Sequence, residues 1–388
     1  MSEAVLQYRN KILFWNSLDL NQKVQKLETP AYVYSRQLLQ NRFQFFQKTF
    51  PQARLHFAMK SNHWAPFLKV LQELGANVDV VSSGEIAKAL ECGFKPDQIL
   101  FSGVGKTKKE IAYALEKQIF QINVESQDEL DKIIAFEKPI RIGLRWTPGL
   151  DVKTHKFIKT SHDDTKFGLS QEDIQMMIPK IQKHSFIQFQ GISVHLGSQI
   201  MDLEDFRQAF IDLKEFLEAL PLTSVNVDLG GGLGINYHSA DLTEDENRLK
   251  GYQKVVQDVW ADTKLQILFE PGRFISARTG GLITQVQAIK KTKTKTIVVV
   301  DAGMNNLIRP VLYEAHHEIY PLQERDGLKQ KVDIVGPICE SSDFLALERE
   351  LSPLQVGDYL FIADAGAYGS SMSSDYNLRE PATEQFID

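Results

Sequence analysis

Eight short apolar runs between residues 54 and 272 constrain the fold more than any other feature of this sequence. They alternate with segments of helical periodicity, and many of their residues are β-branched, as in strands covered on both faces. The runs are "RLHFAMK" (54–60), "NVDVVS" (77–82), "ILFSGV" (99–104), "FQINVE" (120–125), "IRIGLRW" (140–146), "FQGISVHLG" (189–197), "VNVDLG" (225–230) and "QILFEPG" (266–272). Eight strands alternating with helices predict an α/β protein built on a closed (β/α)8 TIM-like barrel. An open doubly wound sheet is the rival, but it does not explain the count.

The pattern changes after about residue 275, where strands joined by turns replace the alternation. The strand-like segments there are "LITQVQAIKKTKTKTIVVV" (282–300), "KVDIVG" (331–336) and "DYLFIADAGAY" (358–368). We therefore expect a barrel over 31–275 and a mainly β C-terminal domain over 276–388. Residues 1–30 fit neither pattern and are expected to join the β domain. The run "AYVYS" (31–35) either leads into the barrel or pairs with the β domain.

Composition excludes several classes of protein. The net charge of −6 and the pI near 5.9 argue against a nucleic-acid binder. Two cysteines, Cys92 and Cys339, provide neither a disulfide framework nor a Cys-rich zinc site, and no metal site is predicted. The N-terminus lacks a hydrophobic signal core, and no run of 18 apolar residues occurs. These features predict a cytoplasmic protein that does not enter membranes.

The carboxyl ends of barrel strands form one face, where the chemistry of such folds gathers. The ends of the eight runs carry Lys60, Ser82, Ser83, Arg145, His195, Gly230–Gly232 and Glu270–Arg273. Each of these has an ordinary structural explanation. A lysine often begins a solvated loop, a glycine run often forms a tight turn, and a histidine or glutamate often has a structural hydrogen bond or salt bridge. The combination at one face carries more weight than any member.

This combination suits a phosphorylated aldehyde cofactor. Backbone N–H groups of a glycine-rich turn bind phosphate, and a desolvated lysine forms a Schiff base with a carbonyl. Pyridoxal 5'-phosphate needs both, together with a carboxylate near its ring nitrogen, for which Glu270 is placed. His195 is the candidate for stacking on the ring.

Six ordered motifs resemble those of the fold-type III pyridoxal-phosphate-dependent decarboxylases and, more narrowly, the diaminopimelate decarboxylases. They are "HFAMKSN", "HLGSQI", "DLGGGLGI", "FEPGR", "GPICESSDF" and "DAGAYGSSMSSDYN", and they span residues 56 to about 377. The resemblance implies an alanine-racemase-like barrel followed by a β domain. It also implies removal of CO2 from the D-centre of meso-diaminopimelate, which yields L-lysine.

The resemblance implies a role for each matching residue. Lys60 would hold the cofactor aldehyde, His195 would stack on the ring, and Glu270 would face its nitrogen. The implied phosphate contacts are Ser198, Gly230, Gly231, Gly232, Gly272, Arg273 and Tyr368. The implied substrate ligands are Arg273, Arg309, Tyr313, Glu340 and Tyr368. Cys339 would protonate the substrate carbon, and the segment 151–169 would form an active-site loop.

In members of the family the counterparts of Cys339 and Glu340 come from the second subunit, so the resemblance implies a homodimer with active sites at its interface. A decarboxylase of ornithine, arginine or carboxynorspermidine is the nearest competing assignment. Arg309 and Glu340 favour diaminopimelate, because its distal end carries both a carboxylate and an amine. A non-catalytic regulator and a racemase of the same fold are also compatible with the motifs. Retention of Lys60, His195, Glu270 and Cys339 disfavours the regulator, and Tyr368, already assigned to cofactor and substrate, disfavours the racemase.

Overall fold

The computed structural model describes residues 5–149 and 166–388, which fall into two compact units. The barrel unit contains the described residues of Phe43–Gly234 together with Asn247–Phe274. The β unit contains the described residues up to Arg42, with Ile235–Glu246 and Ile275–Asp388. The domain boundaries expected from the sequence lie after residues 30 and 275, and these boundaries stay predictions.

The N-terminal segment forms a small antiparallel sheet and then one strand of a larger sheet. Its elements are β1 (Leu6–Arg9), β2 (Ile12–Trp15), β3 (Leu18–Asp19), α1 (Leu20–Val24), β4 (Ala31–Tyr34) and α2 (Arg36–Thr49). β1 pairs with β2, and β2 pairs with β3. Asp19 begins α1 because its side chain accepts a hydrogen bond from the backbone of Gln22.

Eight parallel strands of the described chain close a barrel, as the sequence predicts. They are β5 (Arg54–Ala58), β6 (Asn77–Val80), β7 (Ile99–Phe101), β8 (Gln121–Val124), β9 (Ile140–Trp146), β10 (Ile187–Val194), β11 (Asn226–Asp228) and β12 (Gln266–Phe269). Each lies within or overlaps one of the eight apolar runs, and β12 closes the barrel by pairing with β5. The carboxyl ends of all eight strands therefore lie on one face.

Helices separate the barrel strands. They are α3 (Ala65–Glu73), α4 (Ser83–Glu91), α5 (Lys108–Lys117), α6 (Gln127–Ile134), α7 (Gln171–Lys183), α8 (Leu203–Ala219) and α9 (Thr243–Trp260). Ser82 caps α4 by accepting a 3.1 Å hydrogen bond from the backbone of Glu85, and Gly93 follows its end at φ +94°. α8 buries Phe206, Phe210 and four further apolar side chains, and each large one stabilises the fold by roughly 1.5–3 kcal/mol.

The β unit is built on a long strand, β13, that pairs on both sides. The short helix α10 (Arg273–Ser276) spans the boundary between the two units. The elements of the β unit after it are β13 (Gly280–Lys291), β14 (Thr296–Val300), α11 (Arg309–Tyr313), β15 (Ile319–Pro321), β16 (Gln330–Val335), β17 (Phe344–Leu351), β18 (Tyr359–Ile362) and β19 (Thr383–Phe386). β4 pairs antiparallel with β13, and β19 pairs parallel with β4. The segment "AYVYS" thus belongs to this sheet.

Burial holds the N-terminal segment to the same sheet. Leu13 and Trp15 of β2 lie in one apolar cluster with Val33, Ile283 and Phe361. All five side chains are at most 2% exposed, so each removes most of its apolar surface from water. Among the described residues, every helix is too short or too polar to cross a lipid bilayer.

Candidate active site

A cavity of about 360 Å³ opens at the carboxyl ends of the barrel strands. Lys60, His195 and Glu270, which the sequence selected from three different strand ends, all line it. Its wall also includes Val81, Ser102, Gly103, Val104, Asn123, Arg145, Phe167, Ser193 and Val194. The volume lies within the range of about 300–1,000 Å³ that is typical of pockets for small molecules.

Lys60 lies in a single 3-10 turn, Met59–Ser61, directly after β5. The turn is held in place because the backbone N–H of Ala58 donates to the carbonyl of Pro271 at 3.2 Å. The Lys60 amine donates a 3.0 Å hydrogen bond to Asp79 Oδ2, in the adjacent strand β6. The Lys60 side chain is 37% exposed and Asp79 is fully buried, so the ion pair orients an accessible amine from within the barrel.

Glu270 follows β12 and is buried beside a second carboxyl group, Asp228. Burial raises the pKa of Glu270 well above its usual range, and the negative charges of Asp228 and Asp79 raise it further. Burial also raises the pKa of Asp228, to about 6. The two carboxyl groups share a hydrogen bond, which requires a proton on one of them.

A chain of side-chain hydrogen bonds inside the barrel supports Glu270. The Asn226 amide donates to Gln121 at 3.0 Å, and the Gln121 amide donates to Asn123 at 2.7 Å. Asn123 donates to Ser102 at 3.2 Å, and Ser102 donates to Glu270 Oε1 at 3.1 Å. All five residues are at most 7% exposed, so this network fixes the carboxyl group in a low-dielectric interior.

His195 lies one residue beyond β10 and is partly exposed, where it lines the cavity. Its Nδ1 lies 3.2 Å from the backbone nitrogen of Gly231 and accepts that N–H, which places the proton of a neutral ring on Nε2. Burial lowers the pKa of His195 well below its usual value, and the positive charges of Arg145 and Lys60 lower it further. The ring is therefore neutral near pH 7. Arg145 is itself held by Glu125 at 3.0 Å.

The glycine bend has no room for side chains. Gly230 and Gly232 have φ values of +65° and +99°, and a Cβ on Gly231 would lie 2.3 Å from the backbone oxygen of Glu270. The N–H of Gly230 donates to Asp228 at 2.9 Å, and that of Gly231 donates to His195. Within the described chain, the N–H groups of Gly230 and Gly231 have acceptors, whereas the N–H of Gly232 donates to no protein group.

The other predicted phosphate contacts of the barrel unit lie close to the Lys60 turn or to one another. A Cβ on Gly272 would lie 3.1 Å from Ser61, so this glycine permits a close approach of the "FEPGR" bend to the turn. Arg273 Nη2 donates to Ser198 Oγ at 3.0 Å, and the arginine is 7% exposed.

Five predicted site residues belong to the β unit. Arg309 is buried at the start of α11, Tyr313 is partly buried at its end, and Tyr368 is partly buried with φ +56°. Cys339 and Glu340 are exposed. Tyr376 donates to Glu340 Oε1 at 2.5 Å, and the Cys339 N–H donates to Asn377 at 3.1 Å. Residues 151–165 of the expected active-site loop lie outside the described residues.

The residues of the cavity fit pyridoxal phosphate. An accessible amine, a neutral imidazole and a buried carboxyl group face one cavity, beside a bend that only glycine can form. The hydroxyl of Ser193 is buried against the same cavity and has no hydrogen-bond partner among the described residues, so a polar ligand would satisfy it. Lys60 would hold the aldehyde, and Glu270 would bind the ring nitrogen.

Sequence reasoning missed the polar residues within the strands. Asp79 lies one residue before the end of β6, and Asp228 is the last residue of β11. Both come before the final residues of their apolar runs, "NVDVVS" and "VNVDLG", which supply the candidates. A carboxylate inside an apolar strand was the available signal, because an ionised group is costly to bury without a partner. Ser102, Asn123 and Gln121 have no comparable signal, since they resemble ordinary strand residues.

Comparison with known proteins agrees with this geometry. Residues 36–277 match the family described as pyridoxal-dependent decarboxylase, pyridoxal binding domain. A diaminopimelate decarboxylase of Aquifex aeolicus is 40% identical over 390 residues, which cover 99% of this chain and 92% of that protein. The crystal structure of diaminopimelate decarboxylase from Helicobacter pylori complexed with L-lysine has a TM-score of 0.89 at 35% identity, covering 95% of this chain and 94% of the other.

The chain belongs to the diaminopimelate decarboxylase family. A structure of diaminopimelate decarboxylase from M. jannaschii in co-complex with L-lysine gives the same TM-score, 0.89, at 30% identity, with 99% and 92% of the two chains covered. Membership confirms the predicted resemblance, the barrel with a β domain, the pyridoxal phosphate cofactor and the class of enzyme, a cofactor-dependent decarboxylase. The roles of individual residues stay predictions.

Proposed function

We propose that this enzyme decarboxylates meso-2,6-diaminopimelate to L-lysine and CO2 with pyridoxal phosphate, the last step in making lysine. The observation that carries the proposal is the meeting of Lys60, His195 and Glu270 in one cavity. The substrate rests on the relatives, which are diaminopimelate decarboxylases at 35–40% identity over nearly the whole chain.

Lys60 and His195 have distinct tasks in this proposal. When bound, pyridoxal phosphate supplies a ring that accepts the electrons left on the substrate carbon as CO2 departs. Lys60 would hold the cofactor through its amine, and Asp79 keeps that amine in place. His195 presents a neutral ring for stacking, because its Nδ1 accepts a hydrogen bond and its pKa is low.

Glu270 acts on the charge of the cofactor ring. Burial raises the pKa of Glu270, the nearby carboxyl groups of Asp228 and Asp79 raise it further, and a positive charge on the ring nitrogen would lower it. A protonated ring nitrogen and an ionised Glu270 therefore favour each other. The hydrogen-bond chain through Ser102 and Asn123 holds the carboxylate in place, so little reorganisation is needed.

The β unit supplies the remaining groups of the proposal. Arg309 and Tyr313 bind the distal carboxylate, and Glu340 binds the distal ammonium group. Cys339 returns a proton to the carbon that has lost CO2. Exposure of Cys339 and Glu340 on the described chain supports a site completed by a second subunit, as expected for a homodimer. A cytoplasmic location likewise stays a prediction.

The test is direct. Purified protein with pyridoxal phosphate is incubated separately with meso-diaminopimelate, ornithine and arginine, and release of CO2 is followed. We expect release from meso-diaminopimelate with L-lysine as the product. Release from ornithine or arginine alone would overturn the substrate assignment while leaving the class of enzyme intact.

A further inference from the structure

Arg309 is buried within the β unit, where Tyr237 and His317 contact its guanidinium. The residue is 4% exposed, and its guanidinium carbon lies 4.8 Å from the centre of the Tyr237 ring, within the range of a cation–π contact. Its Nη1 lies 2.7 Å from His317 Nε2. His317 is 1% exposed, and its ring meets the Tyr237 ring edge-on at 5.4 Å.

The hydrogen bonds of His317 fix its protonation state. Its Nδ1 lies 2.8 Å from the carbonyl oxygen of Ala363, which only accepts hydrogen bonds, so Nδ1 carries a proton. The guanidinium of Arg309 only donates, so Nε2 must be the unprotonated acceptor. His317 is therefore a neutral imidazole that links a backbone carbonyl of the sheet to the arginine.

We propose that His317 is a positioning residue for substrate selection, holding Arg309 so that its guanidinium meets the carboxylate shared by substrate and product. This inference rests on the proposed function, in which Arg309 binds that carboxylate. His317 acts through Arg309, because its two ring nitrogens are already bonded within the protein. An arginine side chain binds a carboxylate through two parallel hydrogen bonds, so the orientation of its planar guanidinium matters. A hydrogen bond to the imidazole of His317 restrains that orientation.

The neighbouring histidine supplies a matched control. His316 Nε2 lies 2.7 Å from Glu318, and its ring stacks on His238 at 4.0 Å. The Arg349 guanidinium contacts the His316 ring at 3.2 Å and Glu318 at 3.8 Å. His238, His316 and Glu318 together offer metal-donor atoms within 4.8 Å of one another, but Arg349 already supplies a positive charge there. The His316 side chain is thus held by contacts different from those of the His317 side chain, and the two residues are linked through Arg349, which also donates to the backbone carbonyl of His317 at 3.1 Å in the described structure.

Two substitutions separate a positioning role from a purely structural one. In His317→Gln the amide can reach the position of Nε2 and still accept from Arg309. In His317→Asn the shorter amide reaches only the position of Nδ1, so it retains the donor to Ala363 and loses the acceptor for Arg309. The control is His316→Gln.

The readouts are KM for meso-diaminopimelate and the inhibition constants of L-lysine and cadaverine, which is the same diamine without the carboxylate. A lost hydrogen bond to a charged group predicts that His317→Asn weakens L-lysine binding about ten- to a hundred-fold. Cadaverine binding and kcat should change little, and His317→Gln should stay near the parent enzyme. His316→Gln should leave all four constants unchanged.

Two results would overturn the inference. One is a parental ratio of L-lysine to cadaverine binding in His317→Asn; the other is a larger defect in the Gln variant than in the Asn variant. If His317→Asn fails to fold, the Gln variant decides: near-parental L-lysine binding supports positioning, and a defect as large as that of Arg309→Ala contradicts it. Failure of the proposed function is distinguishable, because the parent enzyme itself would then release no CO2 from meso-diaminopimelate.

Discussion

The amine of Lys60 donates a 3.0 Å hydrogen bond to the buried carboxylate of Asp79, one strand away in the barrel. The Lys60 side chain is partly exposed, whereas the Asp79 side chain is fully buried. This ion pair explains how a lysine at a strand end keeps a defined orientation at the mouth of a cavity. In addition to burial and Asp228, the negative charge of Asp79 raises the pKa of Glu270. Asp79 therefore interacts with both Lys60 and Glu270 in the proposed cofactor site.

Replacing Lys60 by Ala should abolish the absorbance of covalently held pyridoxal phosphate and nearly all turnover, because no other described amine lines the cavity. Asp79→Asn should keep the absorbance and lower kcat/KM about ten- to a hundred-fold, since a charged hydrogen bond is lost. Spectroscopy and CO2 release measure both. Lys88→Ala, at a surface ion pair with Glu91, is the control and should resemble the parent.

Replacing Glu270 by Gln should leave the cofactor bound and lower kcat about 10²–10³-fold, the size expected when a preorganised charge-stabilising group is removed. The neutral amide cannot match a positive charge on the ring nitrogen, so the absorption spectrum of the bound cofactor should also shift. Unchanged kcat in this variant would remove Glu270 from the proposed mechanism.

Cys339→Ala should retain the cofactor absorbance while kcat falls about 10²–10⁴-fold, the usual contribution of a positioned proton donor. Cys92→Ala, at a buried cysteine, is the matched control.

Mixing the inactive Lys60→Ala and Cys339→Ala proteins tests the homodimer. If each site uses residues of both subunits, random exchange restores roughly a quarter of the sites. No recovery after demonstrated subunit exchange would place both residues in one chain.

Asp228→Asn should change how the stability of the cofactor-free protein depends on pH. Folding raises the pKa of Asp228 from 3.8 to about 6, so the folded state binds this proton more tightly than the unfolded state. Its favourable contribution is fully present below about pH 4 and is lost as pH rises through about 6. Urea unfolding at pH 4, 5, 6 and 7 should therefore show a flatter decline for the variant than for the parent.

Gly231→Ala should destabilise the fold by roughly 1–3 kcal/mol, because the added Cβ would lie 2.3 Å from the backbone oxygen of Glu270. Gly84→Ala is the control, since its nearest new neighbour is the Ser82 hydroxyl at 3.6 Å and α4 gains a better helix former. Urea midpoints measure both. Equal stability of the two variants would show that the bend relaxes easily.

The barrel and much of the candidate site follow from local patterns in the amino-acid sequence. Burial on both faces forces apolar strands, so the eight runs were recognisable and each became a barrel strand. Lys60, His195 and Glu270 were recognisable because the carboxyl ends of parallel strands share one face. Local capping likewise marked the start and end of α4 from Ser82 and Gly93.

Which polar side chains meet depends instead on how the strands and units of the folded chain pack. Asp79 reaches Lys60, and Asp228 reaches Glu270, through strand pairing between residues far apart in sequence, and no local pattern encodes such a contact. The same holds for His317 and Arg309, whose hydrogen bond also depends on the carbonyl of Ala363. Periodicity reports which face of an element is buried, whereas side-chain partners and protonation states depend on packing across the whole fold.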